Sequence, residues 1–219
     1  MEFEIITAGE FHLKYAVQIS TLMEQAALQR GTGIAKRTPE YICEKINQGK
    51  AIIALQKEAL GGFCYIETWG HGKYVANSGL IVNPDFRGFG LGKKIKEAIF
   101  NLSREKYPDA KIFGITTSLA VMKINSNLGY KPVTFSELTT DEKFWSGCQS
   151  CKNYDILTRT NRSHCLCTGM LYDHKTMQQP TTKIQDRELR WQRFKRFVML
   201  HGLKTKRKMM AGLKKKKEK

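Results

Sequence analysis

The stretch Val82-Asn83-Pro84-Asp85-Phe86-Arg87-Gly88-Phe89-Gly90-Leu91-Gly92 has the residue types and spacing of a phosphate cradle. Gly88, Gly90 and Gly92 free the backbone to curl between a strand and a helix. Successive N–H groups then point at the helix mouth, where the positive end of the helix dipole adds to them. Arg87 can add a charge-assisted contact, and Phe89, Leu91 and Lys93 complete the candidate phosphate-binding segment. Glycine spacing of this kind also serves dinucleotide and nucleotide folds, so context decides. A dinucleotide fingerprint opens the first βαβ unit and is followed by an acidic ribose partner about 20 residues on. Here the loop follows a fourth strand, and hairpins precede it. A Walker loop ends in Gly-Lys-Ser/Thr, whereas Gly92-Lys93-Lys94 lacks the hydroxyl.

The elements that must position this loop are legible on both sides of it. Phe3 to Thr7 reads as a first strand, and Phe11 to Gln29 carries apolar residues at helical spacing. A basic loop, Arg30-Gly31-Thr32-Gly33-Ile34-Ala35-Lys36-Arg37, separates that helix from a shorter one opened by Pro39. Strands are expected at 51–55, 60–68, 74–82, 111–116, 130–136 and 153–157, with helices at 88–105 and 119–127. The predicted order is β-α-α-β-β-β-α-β-α-β-β, a mixed α/β domain over residues 1–157.

Val82-x-Pro84-x-x-Arg87-Gly88-x-Gly90-Leu91-Gly92 closely resembles motif A of the GNAT superfamily of N-acetyltransferases. Asn125-Ser126-Asn127-Leu128-Gly129-Tyr130-Lys131-Pro132 resembles the motif that follows it. The resemblance covers roughly residues 3–157. It implies a GNAT fold with a mixed, mostly antiparallel central sheet flanked by helices, and acetyl-CoA or another acyl-CoA as co-substrate. The thioester arm would lie between splayed fourth and fifth strands. The pantetheine amides would pair with backbone around Leu80, Ile81 and Val82, and Asn125 would line the pantetheine side.

The implied reaction is attack of a neutral amine on the thioester carbonyl. Many family members carry a Tyr four residues before the Gly of the second motif, as acid for the departing thiolate. Counting back from Gly129 gives Asn125, which cannot donate in that way. Tyr130 or Tyr154 could substitute, or each could simply pack as an aromatic. Glu67, on the third strand, is the candidate base, acting directly or through water. Arg30, Lys36 and Arg37 suit a carboxylate on the acceptor. The expected acceptor is therefore a small anionic amine such as an amino acid. Glutamate is suggested by the resemblance of some stand-alone bacterial members to N-acylglutamate synthases of arginine biosynthesis. A protein N-terminus or lysine is the alternative acceptor, and a catalytically weak module that binds RNA or ribosomes is a third reading.

Six cysteines divide into two kinds. Cys43 and Cys64 stand alone and read as core residues. Cys148-x-x-Cys151 and Cys165-x-Cys167 could supply four thiolates to a structural zinc ion, could pack reduced, or could serve redox chemistry. The net charge of +17 is concentrated in residues 158–219, which hold 18 Lys or Arg against 4 Asp or Glu. Residues 1–157 hold 19 against 16 and need no polyanionic partner. Within the basic extension, Asp186–His201 reads as an amphipathic helix and Lys214–Lys217 as part of a disordered end. That extension suits nucleic acid or an acidic membrane surface, or docking on the domain or a second subunit. No run approaches the about 18–20 apolar residues of a membrane span. The acidic N-terminus lacks a signal-peptide layout, so a cytoplasmic protein is expected.

Overall fold

The computed structural model describes residues 2–30, 37–175 and 192. Seven strands lie within them: β1 (Glu4–Thr7), β2 (Ala51–Gln56), β3 (Ala59–Trp69), β4 (Tyr74–Val82), β5 (Lys111–Thr116), β6 (Lys131–Val133) and β7 (Thr168–Tyr172). They form one sheet in the order β1-β2-β3-β4-β5-β7-β6. Only the β4–β5 pair is parallel, so the sheet is mixed and mostly antiparallel, as expected. Among the described residues it is accompanied by the α-helices α1 (Ala16–Arg30), α2 (Pro39–Asn47), α3 (Leu91–Lys106), α4 (Leu119–Asn127), α5 (Glu142–Ser146) and α6 (Tyr154–Arg159).

Helices cover both faces of the sheet, which explains the apolar runs of β2 and β3. A strand buried on both sides has no polar alternation to show. Ile53, Leu55, Phe63 and Tyr65 pack with Ile19 and Met23 of α1 and with Ile42 and Ile46 of α2. Ile52, Ala54, Cys64 and Ile66 face the opposite layer, with Ile95, Ile99 and Leu102 of α3. A third cluster gathers Phe113, Phe135, Trp145 and Leu157 at the β5–β7 end.

One expectation near the end of the chain is corrected. Asn153–Leu157 is not a strand: Asn153 precedes α6, and the next strand is β7. β7 inserts between β5 and β6, pairing Ile112 with Tyr172 and Lys131 with Leu171. The Tyr154-Asp155-Ile156-Leu157 stretch alternates like a strand, but the sheet edge it would fill is taken by Thr168–Tyr172. The helix expected at 186–201 and the Lys-rich end lie outside the described residues. Among the described residues, no helix is long and apolar enough to cross a membrane.

Candidate active site

The loop from Asn83 to Gly90 is held by local chemistry. Asn83 caps a 3-10 turn at Pro84–Phe86, its Oδ1 accepting from the Asp85 N–H at 3.3 Å. Gly90 then serves as the N-cap of α3 with φ of 72°, a left-handed conformation that glycine adopts without a Cβ penalty. The first turn of α3 contains no acidic residue; the Lys93 and Lys94 N–H groups donate to the Gly90 carbonyl at 3.1 and 3.3 Å, which leaves those of Leu91 and Gly92 without an intrahelical acceptor. The start of α3 thus points free backbone N–H groups outward at the end of β4. Arg87 and Phe89 stand exposed beside it, and Lys93 pairs on the surface with Glu97 at 3.7 Å.

Further along β4, a cleft opens between Leu80 and Ala76. β4 and β5 pair from Tyr74–Lys111 to Ala76–Phe113 and no further, so the strands fork beyond Ala76. A bulge re-aims β4 within the fork. Phe63 pairs with Ile81 and Tyr65 with Ser78, leaving Gly79 and Leu80 together opposite Cys64. Gly79 has φ of 65°, and a Cβ there would meet the Tyr65 ring at 2.3 Å and Met23 Cε at 2.5 Å. The resulting cavity of about 250 Å³ is lined by Leu80, Asn77 and Lys96 on one side and by Gly114, Val121 and Asn125 on the other.

On the α1–α2 side of the cleft the structure gathers a polar cluster. Arg37 Nε donates to the Tyr65 hydroxyl at 2.7 Å, and Arg37 Nη2 donates to Glu67 Oε1 at 3.3 Å. The Tyr41 hydroxyl also donates to Glu67 Oε1, and Ser78 Oγ donates to Oε2 at 2.8 Å. Arg37 further lies over the Tyr41 ring, 4.9 Å from its centroid. Burial pulls the Arg37 pKa down, but the fields of Tyr65 and Glu67 outweigh it and hold the guanidinium above its ordinary value. Burial and the Glu67 carboxylate push the Tyr41 phenol up, and burial does the same to Tyr65. Both phenols stay neutral donors or acceptors. Glu67 and Arg37 were legible as candidates, while Tyr41, Tyr65 and Ser78 carried no sequence signal. Arg30 ends α1, but its side chain and all of Lys36 lie outside the described residues.

On the α3 side, Lys96 is 2% exposed and lines the cleft. Its Nζ donates to Asn77 Oδ1 at 3.1 Å, and the Tyr130 hydroxyl donates to the same oxygen at 3.0 Å. Tyr130 is a packed ring, 5.6 Å from Phe100 and 6.0 Å from Tyr172, with its hydroxyl committed to Asn77. Burial raises its pKa well above 10. Asn125 is also 2% exposed; its Nδ2 donates to Met170 Sδ at 3.7 Å, and its Oδ1 has no partner. Lys96 could have been noticed in the sequence, since it falls on the buried stripe of α3 beside Ile95, Ile99 and Ser103.

Burial lowers the Lys96 pKa from 10.5 to about 8, against a small opposing effect of Cys64. The unfolded chain therefore binds more protons between about pH 8 and 10.5, and stability must rise with pH across that window. Chemical denaturation at pH 8 and pH 10 is expected to show a gain on the order of 2–3 kcal/mol that Lys96→Met lacks. Equal pH dependence in the two proteins would show that the folded lysine titrates normally.

Cys148, Cys151, Cys165 and Cys167 all line the same cavity, and three of them pack against the cluster of Phe135, Trp145 and Leu157. Burial and the neighbouring thiols raise Cys148 to about 11 and Cys167 to about 12, so both remain thiols. Among the described residues, no group of three or more His, Cys, Asp or Glu is arranged to hold a metal ion. The zinc site expected from the spacing does not fit this geometry.

The forked sheet, the β4 bulge and the glycine-rich helix mouth define the fold as that of the GNAT acetyltransferases. No protein-family model matches the chain, and no curated protein matches it in sequence. Solved structures do match. N-acetylglutamate synthase from Neisseria gonorrhoeae, complexed with coenzyme A and N-acetyl-glutamate, superposes with a TM-score of 0.55 at 16% identity, over 79% of this chain. The chain spans only 35% of that protein's length. Rv2747 from Mycobacterium tuberculosis, in complex with CoA, gives 0.55 at 14% identity, over 78% of this chain and 98% of its own. An acetyltransferase of the GNAT family from Staphylococcus aureus gives 0.51 at 15% identity, over 64% of this chain and 90% of its own.

Proposed function

We propose that this chain is a CoA-dependent N-acyltransferase that moves an acetyl or other short acyl group to the primary amine of a small anionic acceptor. The observation that carries this reading is the cleft that runs along the bulged β4 from Leu80 to the fork at Asn77, on the strand that leads to the Gly90 turn and the start of α3. The pyrophosphate would sit on the N–H groups of α3 with Arg87 beside it. The pantetheine arm would follow Leu80, Ile81 and Val82, with Asn125 facing it. The acceptor would approach from the Arg37 side, its carboxylate drawn by a guanidinium that Tyr65 and Glu67 already orient.

A carboxylate offers about four lone-pair sites. Tyr41, Arg37 and Ser78 occupy three of those on Glu67. The remaining site suits a water that relays the proton from the incoming ammonium. An amino acid is the acceptor class this arrangement favours, and glutamate is the first candidate because one structural neighbour holds N-acetyl-glutamate. The acyltransferase domain is proposed to extend to His174, since β7 belongs to its sheet.

Thiol release from acetyl-CoA with a panel of amino acids tests this directly. Turnover is expected with an acidic amino acid and is expected to fall when its side-chain or α-carboxylate is amidated. No release with any amine in the panel, acyl donors being varied, would remove the reading.

A further inference from the structure

The proton that the departing thiolate needs has no donor at the usual position, because Asn125 stands there and its Nδ2 faces Met170 Sδ. We propose that Lys96 is the proton donor to the departing CoA thiolate, with Asn125 Oδ1 receiving the S–H that results. The inference rests on the acyltransferase reading above. An arm entering at the α3 mouth and running along β4 must end at the fork. Asn77 is the first β4 residue beyond the last β4–β5 pair, and the Lys96 ammonium sits on its side-chain oxygen at 3.1 Å.

Two groups with unmet hydrogen-bonding capacity belong to residues that line the cleft. An ammonium carries three N–H donors. Among the described residues Lys96 has one acceptor and no carboxylate within 4 Å. Asn125 Oδ1 is a buried acceptor without a donor. A buried cation left without a counter-charge is unfavourable unless an anion arrives, and a thiolate forms at the fork once per turnover. The amine nitrogen bonds to the carbonyl carbon, the C–S bond breaks, and sulfur keeps the electron pair. Lys96 Nζ then gives its proton to sulfur and recovers one from solvent.

The ionisable groups that face Lys96 are Cys64 of β3 and Tyr130, with Tyr172 of β7 behind the Tyr130 ring. Burial raises Cys64 to about 11 and Tyr130 well above 10. Neither competes with Lys96, whose pKa of about 8 lies close to the ordinary value of a cysteine thiol, about 8.5. Proton transfer between such matched groups is efficient.

The test uses wild-type protein, Lys96→Met and Lys96→Gln. The thiolate absorbance of bound CoA is titrated against desulfo-CoA complexes, which removes the protein's own cysteines. In wild type the bound thiol is expected to titrate about one pH unit lower than in either variant. With acetyl-CoA and the best acceptor, kcat is expected to fall about 10- to 100-fold in the variants, with loss of the basic limb near pH 8. An identical thiol titration in wild type and variants overturns the proposal while leaving the acyltransferase reading intact. So does a loss confined to KM for acetyl-CoA with the pH profile unchanged, or a loss seen only with carboxylate-bearing acyl donors, which would make Lys96 an anion-binding group. Failure of wild type to bind CoA at all defeats the acyltransferase reading itself.

Discussion

Replacing Gly79 with alanine is expected to lower the unfolding free energy by about 2–5 kcal/mol and to abolish acyl transfer. Two penalties combine at this position. A left-handed conformation costs an L-residue about 1–2 kcal/mol, and Gly79 has φ of 65°. Overpacking a filled core adds about 1–3 kcal/mol. The new methyl would meet Tyr65 Cε1 at 2.3 Å and Met23 Cε at 2.5 Å. Met23 can turn away, but the Tyr65 ring is 2% exposed and packed against Phe63 and Tyr41. If the ring shifts, its hydroxyl leaves Arg37 Nε and the acceptor side of the cleft loses its anchor. Denaturant unfolding and CoA calorimetry on the same variant separate the two effects. A Gly79→Ala protein within about 1 kcal/mol of wild type and fully active would mean that the bulge does not hold the cleft open.

Glu67→Ala is expected to reduce kcat/KM for an anionic acceptor at least about 10²-fold and to destabilise the fold by about 3 kcal/mol. The Arg37–Glu67 pair is mostly buried, with side chains 21% and 11% exposed. Removing one partner of a buried pair costs about 3–5 kcal/mol; the residual exposure of Arg37 and its contacts with Tyr65 and Tyr41 place this case at the low end. Tyr41 and Ser78 also lose their acceptor. Glu67→Gln retains one acceptor oxygen and is expected to recover stability in part while remaining slow, because the amide cannot take up the relayed proton. If Glu67→Gln matches wild type in kcat, Glu67 only orients Arg37 and another group receives the proton.

Glu67 also shows how the candidate site divides between what was legible and what was not. Its position on the third strand could be read from the pattern around it. What surrounds Glu67 could not. Its donors come from residues 37, 41 and 78, up to 30 positions away, and periodicity carries no record of which side chains meet across a sheet. The same limit explains β7. Thr168-Gly169-Met170-Leu171-Tyr172 is short and lies between a cysteine pair and a basic extension, so charge assigned it to the tail. Its place in the sheet follows from the edges that β5 and β6 leave available.

Lys96 marks the boundary more sharply. On the amphipathic stripe of α3 a lysine looks like an irregularity, and nothing local says whether it reaches solvent. Packing against β4 encloses it at the fork and gives it Asn77 as its acceptor. The clustered cysteines run the other way: their spacing suggested zinc, and the structure packs three of them beside an aromatic cluster, with no group of metal-holding geometry among the described residues.

By itself, the sequence determined the order of strands and helices through residue 133 and the glycine-rich turn that opens α3. These depend on turns, caps and periodicities that act within about a dozen residues. Only the tertiary structure decided where the sheet forks, which strand fills the gap beside β5, and which polar groups face one another across the cleft. Those follow from long-range pairing and from the burial it imposes, which sets the charge state of Lys96 and the orientation of Arg37.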